Sequence, residues 1–195
     1  MKTLANLDKY KIVLASNSPR RKELLKGLNL DFEVRIIPDI DESYPEEMPP
    51  EEIAGFVAQK KAGAYLSVLA EEELLITADT IVSLCGKILG KPTDRDDAIG
   101  MLQQLSGKEH EVITGVCIYT CRKNVSFTVT SSVRFAALTD EEISYYVDNY
   151  RPYDKAGAYG IQEWIGYIAV EAIHGSFYNV MGLPIQRLYQ ELKAF

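Results

Sequence analysis

Histidine and cysteine are scarce in this sequence, which has two histidines and three cysteines among 195 residues. With His110 and His174 as the only histidines, the sequence argues against Ser-His-Asp and Cys-His nucleophilic mechanisms. The odd number of cysteines argues against a disulfide framework. We therefore interpret Cys85, Cys117 and Cys121 as structural or incidental residues.

Long apolar runs and a basic surface are also missing. No run approaches the roughly 18 apolar residues that a membrane-spanning helix needs, and the first ten residues lack the apolar core of a signal peptide. These absences predict a cytoplasmic protein. The net charge of −7 argues against nonspecific binding to a nucleic-acid duplex, which needs a broad basic surface. A small anionic ligand remains compatible, because a cleft can concentrate a few cations on an acidic protein.

The apolar residues that are present, 47% of the chain, fall into alternating strand-like and helix-like segments. Residues 11–15 and 74–84 are apolar runs typical of buried strands. Residues 51–69 form the longest helical pattern, with Ile53, Phe56 and Val68 on its apolar stripe. Residues 167–172 are predicted to form a late strand. The interleaving predicts one α/β domain with a mixed sheet and flanking helices.

The first candidate site is the segment 16–21 (SNSPRR), between a predicted strand and a predicted helix. Ser18 is a favourable N-cap and Pro19 suits the first helical position. Free backbone N–H groups and the positive end of the helix dipole favour an anion at such a turn. Arg20 and Arg21 oppose the helix dipole, so their guanidinium groups either bind phosphate or form a solvated basic first turn.

A carboxylate inside an apolar strand is the second candidate. Asp79 lies in the run LLITADTIVSL, where a charge is costly unless it is paired, hydrogen-bonded or bound to a metal ion. The alternative is an Asp that caps a turn at a strand end. The apolar residues on both sides favour a functional role.

Lysines and a short acidic loop complete the candidates. Helical periodicity places Lys60 within the apolar stripe and Lys61 at its border, where a lysine either extends to solvent or binds a charged ligand. Lys91 follows a predicted strand and is a candidate phosphate ligand. The acidic loop at residues 39–42 could supply Glu42 as a second carboxylate for Mg²⁺, which takes one or two carboxylates plus substrate phosphates.

Together these segments resemble the Maf family, in order and over nearly the whole chain. Residues 1–10 are interpreted as a variable extension of one Maf-like domain. The matching stretches are SNSPRR (16–21), KA (61–62), ADT (78–80), GKP (90–92), YDKAGAYGIQ (153–162) and GSFYNVMGLP (175–184). The resemblance implies a Maf/Ham1-type α/β fold with two lobes around a nucleotide cleft, and a homodimer.

The resemblance also implies hydrolysis of a nucleoside triphosphate between the α and β phosphates, with a divalent cation, Mg²⁺ or Mn²⁺. By motif position, Asp79 would be the proton acceptor, assisted at the catalytic centre by Glu42, Lys61 and Lys91. Asp79 would alternatively be a ligand of the metal ion that activates the water, with Glu42 as a second ligand, and the sequence leaves these two roles of Asp79 open. The residues implied to bind the triphosphate are Ser16, Arg20 and Arg21.

Three positions resemble the branch of the family that acts on dTTP and UTP. They are Arg20 in SPRR, Thr80 in ADT and Gln162 at the end of YDKAGAYGIQ. A glutamine amide offers a paired donor and acceptor to a pyrimidine edge. Two alternatives stay open: hydrolysis of 7-methyl-GTP or a modified nucleotide, and a regulator of septum formation that binds nucleotide as its switch.

Overall fold

The structure is a computed structural model that describes residues 3–195. It confirms the predicted α/β class, with a mixed sheet and flanking helices. The strands are β1 (Lys11–Leu14), β2 (Phe32–Val34), β3 (Glu73–Leu84), β4 (Lys87–Leu89), β5 (Glu109–Tyr119), β6 (Asn124–Phe135) and β7 (Val170–His174). The helices are α1 (Pro19–Lys26), α2 (Pro50–Tyr65), α3 (Arg95–Leu105), α4 (Asp140–Tyr150), α5 (Trp164–Ala169), α6 (Phe177–Val180) and α7 (Ile185–Ala194).

The sheet has the strand order β2-β1-β3-β5-β6-β7, and β4 pairs with β3. Strand β1 is parallel to both β2 and β3, with Val13 opposite Glu33 on one side and Leu75 on the other. Strands β3 and β4 form an antiparallel hairpin, and β6 and β7 are also antiparallel. Parallel pairing of β1 with β3 requires a crossover, which contains α1, β2 and α2.

The chain divides into two compact units. The first contains residues 3–79 of the described chain, together with Thr114–Val129 and Gly182–Phe195. The second contains Thr80–Ile113 and Thr130–Met181. The segment SNSPRR and Asp79 belong to the first unit, and Thr80, Lys91 and Gln162 belong to the second.

The core of the first unit forms where α2 packs against the sheet. Val13, Leu75, Tyr65 and Cys117 belong to one buried cluster. At Gly115 of β5, a Cβ atom would lie 2.2 Å from the carbonyl oxygen of Ala54 in α2. The lack of a side chain at Gly115 therefore allows the helix backbone to approach the strand directly.

The second unit is stabilised by a well-capped helix and an aromatic cluster. Thr139 and Glu142 form a reciprocal capping box at the start of α4, as the sequence indicates. The rings of His110, Phe135 and Tyr159 meet edge to face, with centroids between 4.9 and 5.5 Å apart. All three side chains are buried.

Two sequence-based element assignments are wrong. Helix α2 ends at Tyr65 rather than at residue 69, and Phe56 and Val68 of the predicted stripe are exposed. The first half of residues 167–172 is not a strand, because α5 continues to Ala169 and β7 begins only at Val170. Short apolar runs do not distinguish a helix from a strand by periodicity, so tertiary packing decides their state.

The cysteines and the helix lengths agree with the sequence analysis. All three cysteines are free thiols, with Cys117 buried and the other two exposed. Among residues 3–195, the helices are all too short or too polar to cross a membrane.

Candidate functional site

The segment SNSPRR forms the predicted turn between β1 and the N-terminus of α1. Ser18 is the N-cap, and its Oγ accepts a hydrogen bond from the backbone N–H of Arg21, while Pro19 begins the helix. The Oγ of the buried Ser16 accepts a hydrogen bond from Ser18 N at 3.2 Å. The turn therefore has a fixed conformation beside the positive end of the α1 dipole.

Arg21 connects this turn to two other segments of the first unit. Its Nη1 donates to the carbonyl oxygen of Ala78 at 2.9 Å and approaches Ser16 Oγ at 3.4 Å. Its Nε donates to the carbonyl oxygen of Gly182 at 2.8 Å. Burial lowers the pKa of Arg21 from its ordinary value, and the nearby Asp79 carboxylate opposes that change. Arg21 thus places a partly buried positive charge near Asp79.

Asp79 lies within β3, as predicted, and not at a strand end. Residues Glu73–Ala78 and Ile81–Leu84 of this strand are buried, whereas Asp79 and Thr80 are partly accessible. The carboxylate Oδ1 accepts a hydrogen bond from Lys61 Nζ at 2.7 Å. A charged partner at this distance compensates the desolvation of a carboxylate in an apolar strand.

Lys61 binds two carboxylates at once. Its Nζ lies 2.7 Å from Asp79 Oδ1 and 3.0 Å from Glu42 Oε1. The side chains of Lys61 and Asp79 are only 13% and 15% exposed, whereas Glu42 is 49% exposed. Lys61 therefore bridges the acidic loop and β3, and does not extend to solvent.

Lys60 also binds the acidic loop. Its Nζ donates to Asp41 Oδ2 at 2.6 Å and to the carbonyl oxygen of Ser43 at 2.9 Å. This ion pair lowers the pKa of Asp41, mainly through the hydrogen bond from Lys60. Periodicity along α2 placed Lys60 in the apolar stripe, and the loop contacts that hold it were not visible in that pattern.

The chemistry of this cluster suits a hard divalent cation. Asp79 and Glu42 contribute carboxylate oxygens that converge on one ammonium group, and Mg²⁺ and Mn²⁺ prefer oxygen ligands. Within residues 3–195 there is no group of three or more His, Cys, Asp or Glu side chains that could hold a metal ion. A divalent cation held by these two carboxylates would need further oxygen ligands from outside the described side chains to complete its coordination.

The second unit contains the remaining predicted residues. Lys91 is exposed and directly follows the β3–β4 hairpin. The neighbouring Gly90 carbonyl accepts a hydrogen bond from the N–H of Gly157 at 3.0 Å. The motifs GKP and YDKAGAYGIQ are therefore adjacent in the fold, although 60 residues separate them along the chain.

Gln162 has an unsatisfied acceptor. Its side-chain Oε1 is buried and has no hydrogen-bond partner in the described part of the chain. A buried amide oxygen without a protein partner is costly unless water or a ligand satisfies it. Thr80 is partly accessible next to Asp79 in β3.

Sequence reasoning missed a buried ionic group in YDKAGAYGIQ. Lys155 is 7% exposed, and its Nζ pairs with Asp154 and Glu163. Lysine is almost never buried unless it is paired. The available signal was the small apolar and glycine residues that follow Lys155 in the motif, at positions 156–158.

Known proteins resemble this chain over nearly its whole length. A family model described as "Maf-like protein" matches residues 11–195. A Parabacteroides distasonis protein named dTTP/UTP pyrophosphatase is 65% identical over 98% of this chain and 100% of its own length. Proteins with the same name from Bacteroides fragilis strain YCH46 and Porphyromonas gingivalis strain ATCC 33277 are 63% and 58% identical. These matches cover 97% and 98% of this chain, and 98% of each relative.

Among solved structures, a HAM1 protein from Coxiella burnetii has a TM-score of 0.48 at 13% identity, covering 95% of this chain and 100% of that chain. The family model and the curated relatives extend over nearly the whole chain and confirm the resemblance predicted from the six motifs. This chain belongs to the Maf family.

Proposed function

We propose that this chain is a nucleoside triphosphate pyrophosphatase that hydrolyses dTTP and UTP to the monophosphate and pyrophosphate. The observation that carries the proposal is that Lys61 pairs with both Asp79 and Glu42 in the unit that contains the SNSPRR turn. The names of the relatives at 58–65% identity support the same activity.

The SNSPRR turn is the proposed binding site for the triphosphate. Its helix N-terminus and the guanidinium group of Arg20 favour negative charge. Ser16 Oγ accepts hydrogen bonds from Ser18 N and Arg21 Nη1. The O–H group of Ser16 can therefore donate a hydrogen bond to a phosphate oxygen. Arg21 is largely engaged by backbone carbonyls and contributes mainly through its positive charge.

The proposed reaction is the attack of water on the α phosphorus. Asp79 accepts one proton from the water, the oxygen of the water bonds to the α phosphorus, and the bond from that phosphorus to the bridging oxygen breaks. The electron pair leaves with pyrophosphate, and the proton held by Asp79 is released to solvent. Lys61, which is already paired with Asp79, is positioned to exchange this partner for a phosphate oxygen and so stabilise the developing charge.

A divalent cation is proposed as the cofactor, with Asp79 and Glu42 as its protein ligands. When bound, the cation would neutralise phosphate charge and polarise the phosphoryl group. Lys91 is proposed to bind the phosphates as a further cation. Its exposed position in the second unit leaves its ammonium group accessible.

For the base, we propose recognition by Gln162, supported by Arg20 and Thr80. The amide of Gln162 offers both a donor and an acceptor, and its Oε1 is the buried atom without a partner. This complementarity favours a pyrimidine edge such as that of thymine or uracil, which presents an N–H between two carbonyl groups.

Product analysis in ¹⁸O-labelled water tests this function. With dTTP and Mg²⁺ or Mn²⁺, we expect dTMP and pyrophosphate, with the label in dTMP because water attacks the α phosphorus. Orthophosphate with dTDP would contradict the assigned bond. Nucleotide binding without turnover under either metal would instead favour the regulatory alternative.

A cytoplasmic location and a homodimer remain predictions from the sequence and the family resemblance. Light scattering coupled to size exclusion tests the second, with an expected mass of about 44 kDa, or twice the 21.9 kDa of the chain.

A further inference from the structure

A buried ionic network lies within the second unit. Lys155 Nζ is 2.7 Å from Asp154 Oδ1 and 3.2 Å from Glu163 Oε1. The Lys155 side chain is only 8% exposed and that of Glu163 is 20% exposed. Such a pair is costly to desolvate, and it is better attested as a device for conformational specificity than as a source of stability.

The network continues from Glu163 to helix α4. The hydroxyl of Tyr146 donates to Glu163 Oε2 and accepts a hydrogen bond from the backbone N–H of Gly160 at 2.9 Å. Tyr146 is fully buried. Burial raises the pKa of its phenol, and the Glu163 carboxylate adds to that effect. The hydroxyl therefore stays protonated and able to donate to Glu163.

The network surrounds the turn that carries Gln162. The N–H of Glu163 donates to the carbonyl oxygen of Gly160 at 2.9 Å, which closes the turn 160–163. A Cβ atom on Gly160 would lie 2.8 Å from the Glu163 carboxyl carbon and 3.0 Å from Lys155 Cε. Residues on both sides of Gln162 are therefore held by the same network.

We propose that Tyr146, Lys155 and Glu163 are positioning residues that orient the Gln162 amide for selection of the base. The inference rests on the proposed function, because it takes Gln162 as the residue that binds the base. Hydrogen bonds weaken steeply away from linear geometry, so a mobile amide would bind several bases with similar affinity. A fixed amide discriminates between them.

Tyr146→Phe is the most specific variant for a test. It removes only the hydroxyl and keeps the ring, which stacks on Tyr150 with centroids 5.0 Å apart. We expect kcat/KM for dTTP and UTP to fall roughly 5- to 20-fold, the cost of one or two disrupted hydrogen bonds. The loss should appear mainly as a higher KM. The ratio of kcat/KM for dTTP to kcat/KM for 7-methyl-GTP should decrease.

Tyr159→Phe is the matched control. Tyr159 is also a buried tyrosine of the second unit, but its hydroxyl meets His110 Nε2 at 2.8 Å instead of the network. We expect a comparable loss of stability and an unchanged ranking of nucleotides. Glu163→Gln, which keeps an acceptor for Tyr146 but loses the charge opposite Lys155, should narrow the preference less than Tyr146→Phe and serves if that variant does not fold.

The Gln162→Ala background separates the two proposals. If the network acts through Gln162, Tyr146→Phe should have no further effect on the nucleotide ranking in that background. A Gln162→Ala enzyme with the wild-type ranking would overturn the base-binding role of Gln162, and with it the role of the network in selection. A third outcome would overturn the network proposal alone. In that outcome Gln162→Ala changes the ranking of nucleotides by kcat/KM, whereas Tyr146→Phe lowers kcat/KM equally for all nucleotides.

Discussion

At the residue scale, the proposed hydrolysis depends on the position of Asp79. Its carboxylate is enclosed by a buried strand and receives a hydrogen bond from Lys61 at 2.7 Å. Lys61 also contacts Glu42, so one ammonium group holds two carboxylates together. Such a cluster marks a candidate functional site, although structural ion pairs form similar clusters.

Asp79→Asn tests the proton acceptor. An amide of the same size keeps the packing in β3, and Lys61 retains Glu42 as a partner, so the fold should be preserved. Turnover of dTTP should fall by about 10²- to 10⁴-fold, the usual contribution of a general base. Steady-state rates and thermal unfolding measure the two effects. A variant with more than about a tenth of the wild-type rate would remove Asp79 from this role.

Lys91→Ala tests the phosphate contact, with Lys87→Ala as the matched control. Both lysines are exposed near the β3–β4 hairpin, and Lys87 donates to Gln104 instead. Lys91→Ala should lower kcat/KM for every nucleotide by a similar factor, because all share the triphosphate. Lys87→Ala should leave the rates unchanged. A change in the ranking of bases in Lys91→Ala would place this lysine at the other end of the nucleotide.

Gln162→Glu tests the base contact. The substitution removes the amide donor and adds a second acceptor at a buried position, where an unsatisfied polar group costs about 1–3 kcal/mol, or roughly 5- to 150-fold in rate. We expect kcat/KM for dTTP and UTP to fall by that factor, and Arg20→Ala to act in the same direction. Equal losses for dTTP, UTP, CTP and 7-methyl-GTP would show that these residues serve the phosphates.

At the element scale, local signals predicted the segments whose structure depends on neighbours in sequence. Ser18 and Pro19 begin α1, and Thr139 with Glu142 begins α4, as their capping preferences indicate. The apolar run around Asp79 is β3. These features depend on contacts within a few residues, which a sequence displays directly.

The features that sequence did not predict depend on distant partners. Lys60 and Lys61 are adjacent on α2, but their contacts with the acidic loop and β3 come from the tertiary fold. Helix α5 replaces the first half of a predicted strand at residues 167–172. The network of Tyr146, Lys155 and Glu163 joins residues from α4 and the following turns, and no local pattern indicates that pairing.

The contact between His110 of β5 and Tyr159 makes the free energy of unfolding depend on pH. Buried His110 contacts Tyr159 through Nε2, and burial lowers its pKa to about 4, against an ordinary value of 6.5. The unfolded chain therefore binds a proton below pH 6.5 that the folded chain does not. Stability should fall by about 3 kcal/mol between pH 6.5 and pH 4 from this residue alone.

Urea unfolding at several pH values measures this loss. Comparing the wild type with His110→Gln separates the histidine from the carboxylates that titrate in the same range, and the variant should lose less stability on acidification. His174→Gln, at the exposed histidine of β7, should behave like the wild type. If the free energy of unfolding fell equally with decreasing pH in the wild type and in His110→Gln, the predicted contribution of His110 would be contradicted.

At the scale of the whole molecule, the family assignment and the chemistry of the residues agree. A chain with net charge −7 concentrates Arg21, Lys61 and the α1 N-terminus in one unit beside Asp79. Motifs dispersed over the chain acquire neighbours only in the fold, as GKP does with Gly157. The order of six motifs was sufficient to predict the family, whereas the ion pairs that define the site required the structure.

The most direct test of the central claim is the ranking of kcat/KM for the wild-type protein on dTTP, UTP, CTP and 7-methyl-GTP, with Mg²⁺ and with Mn²⁺. We expect dTTP and UTP to be the preferred substrates, each giving its monophosphate and pyrophosphate in a one-to-one ratio. A preference for 7-methyl-GTP would contradict the role assigned to Arg20, Thr80 and Gln162, and no hydrolysis of any of the four would contradict the proposed activity.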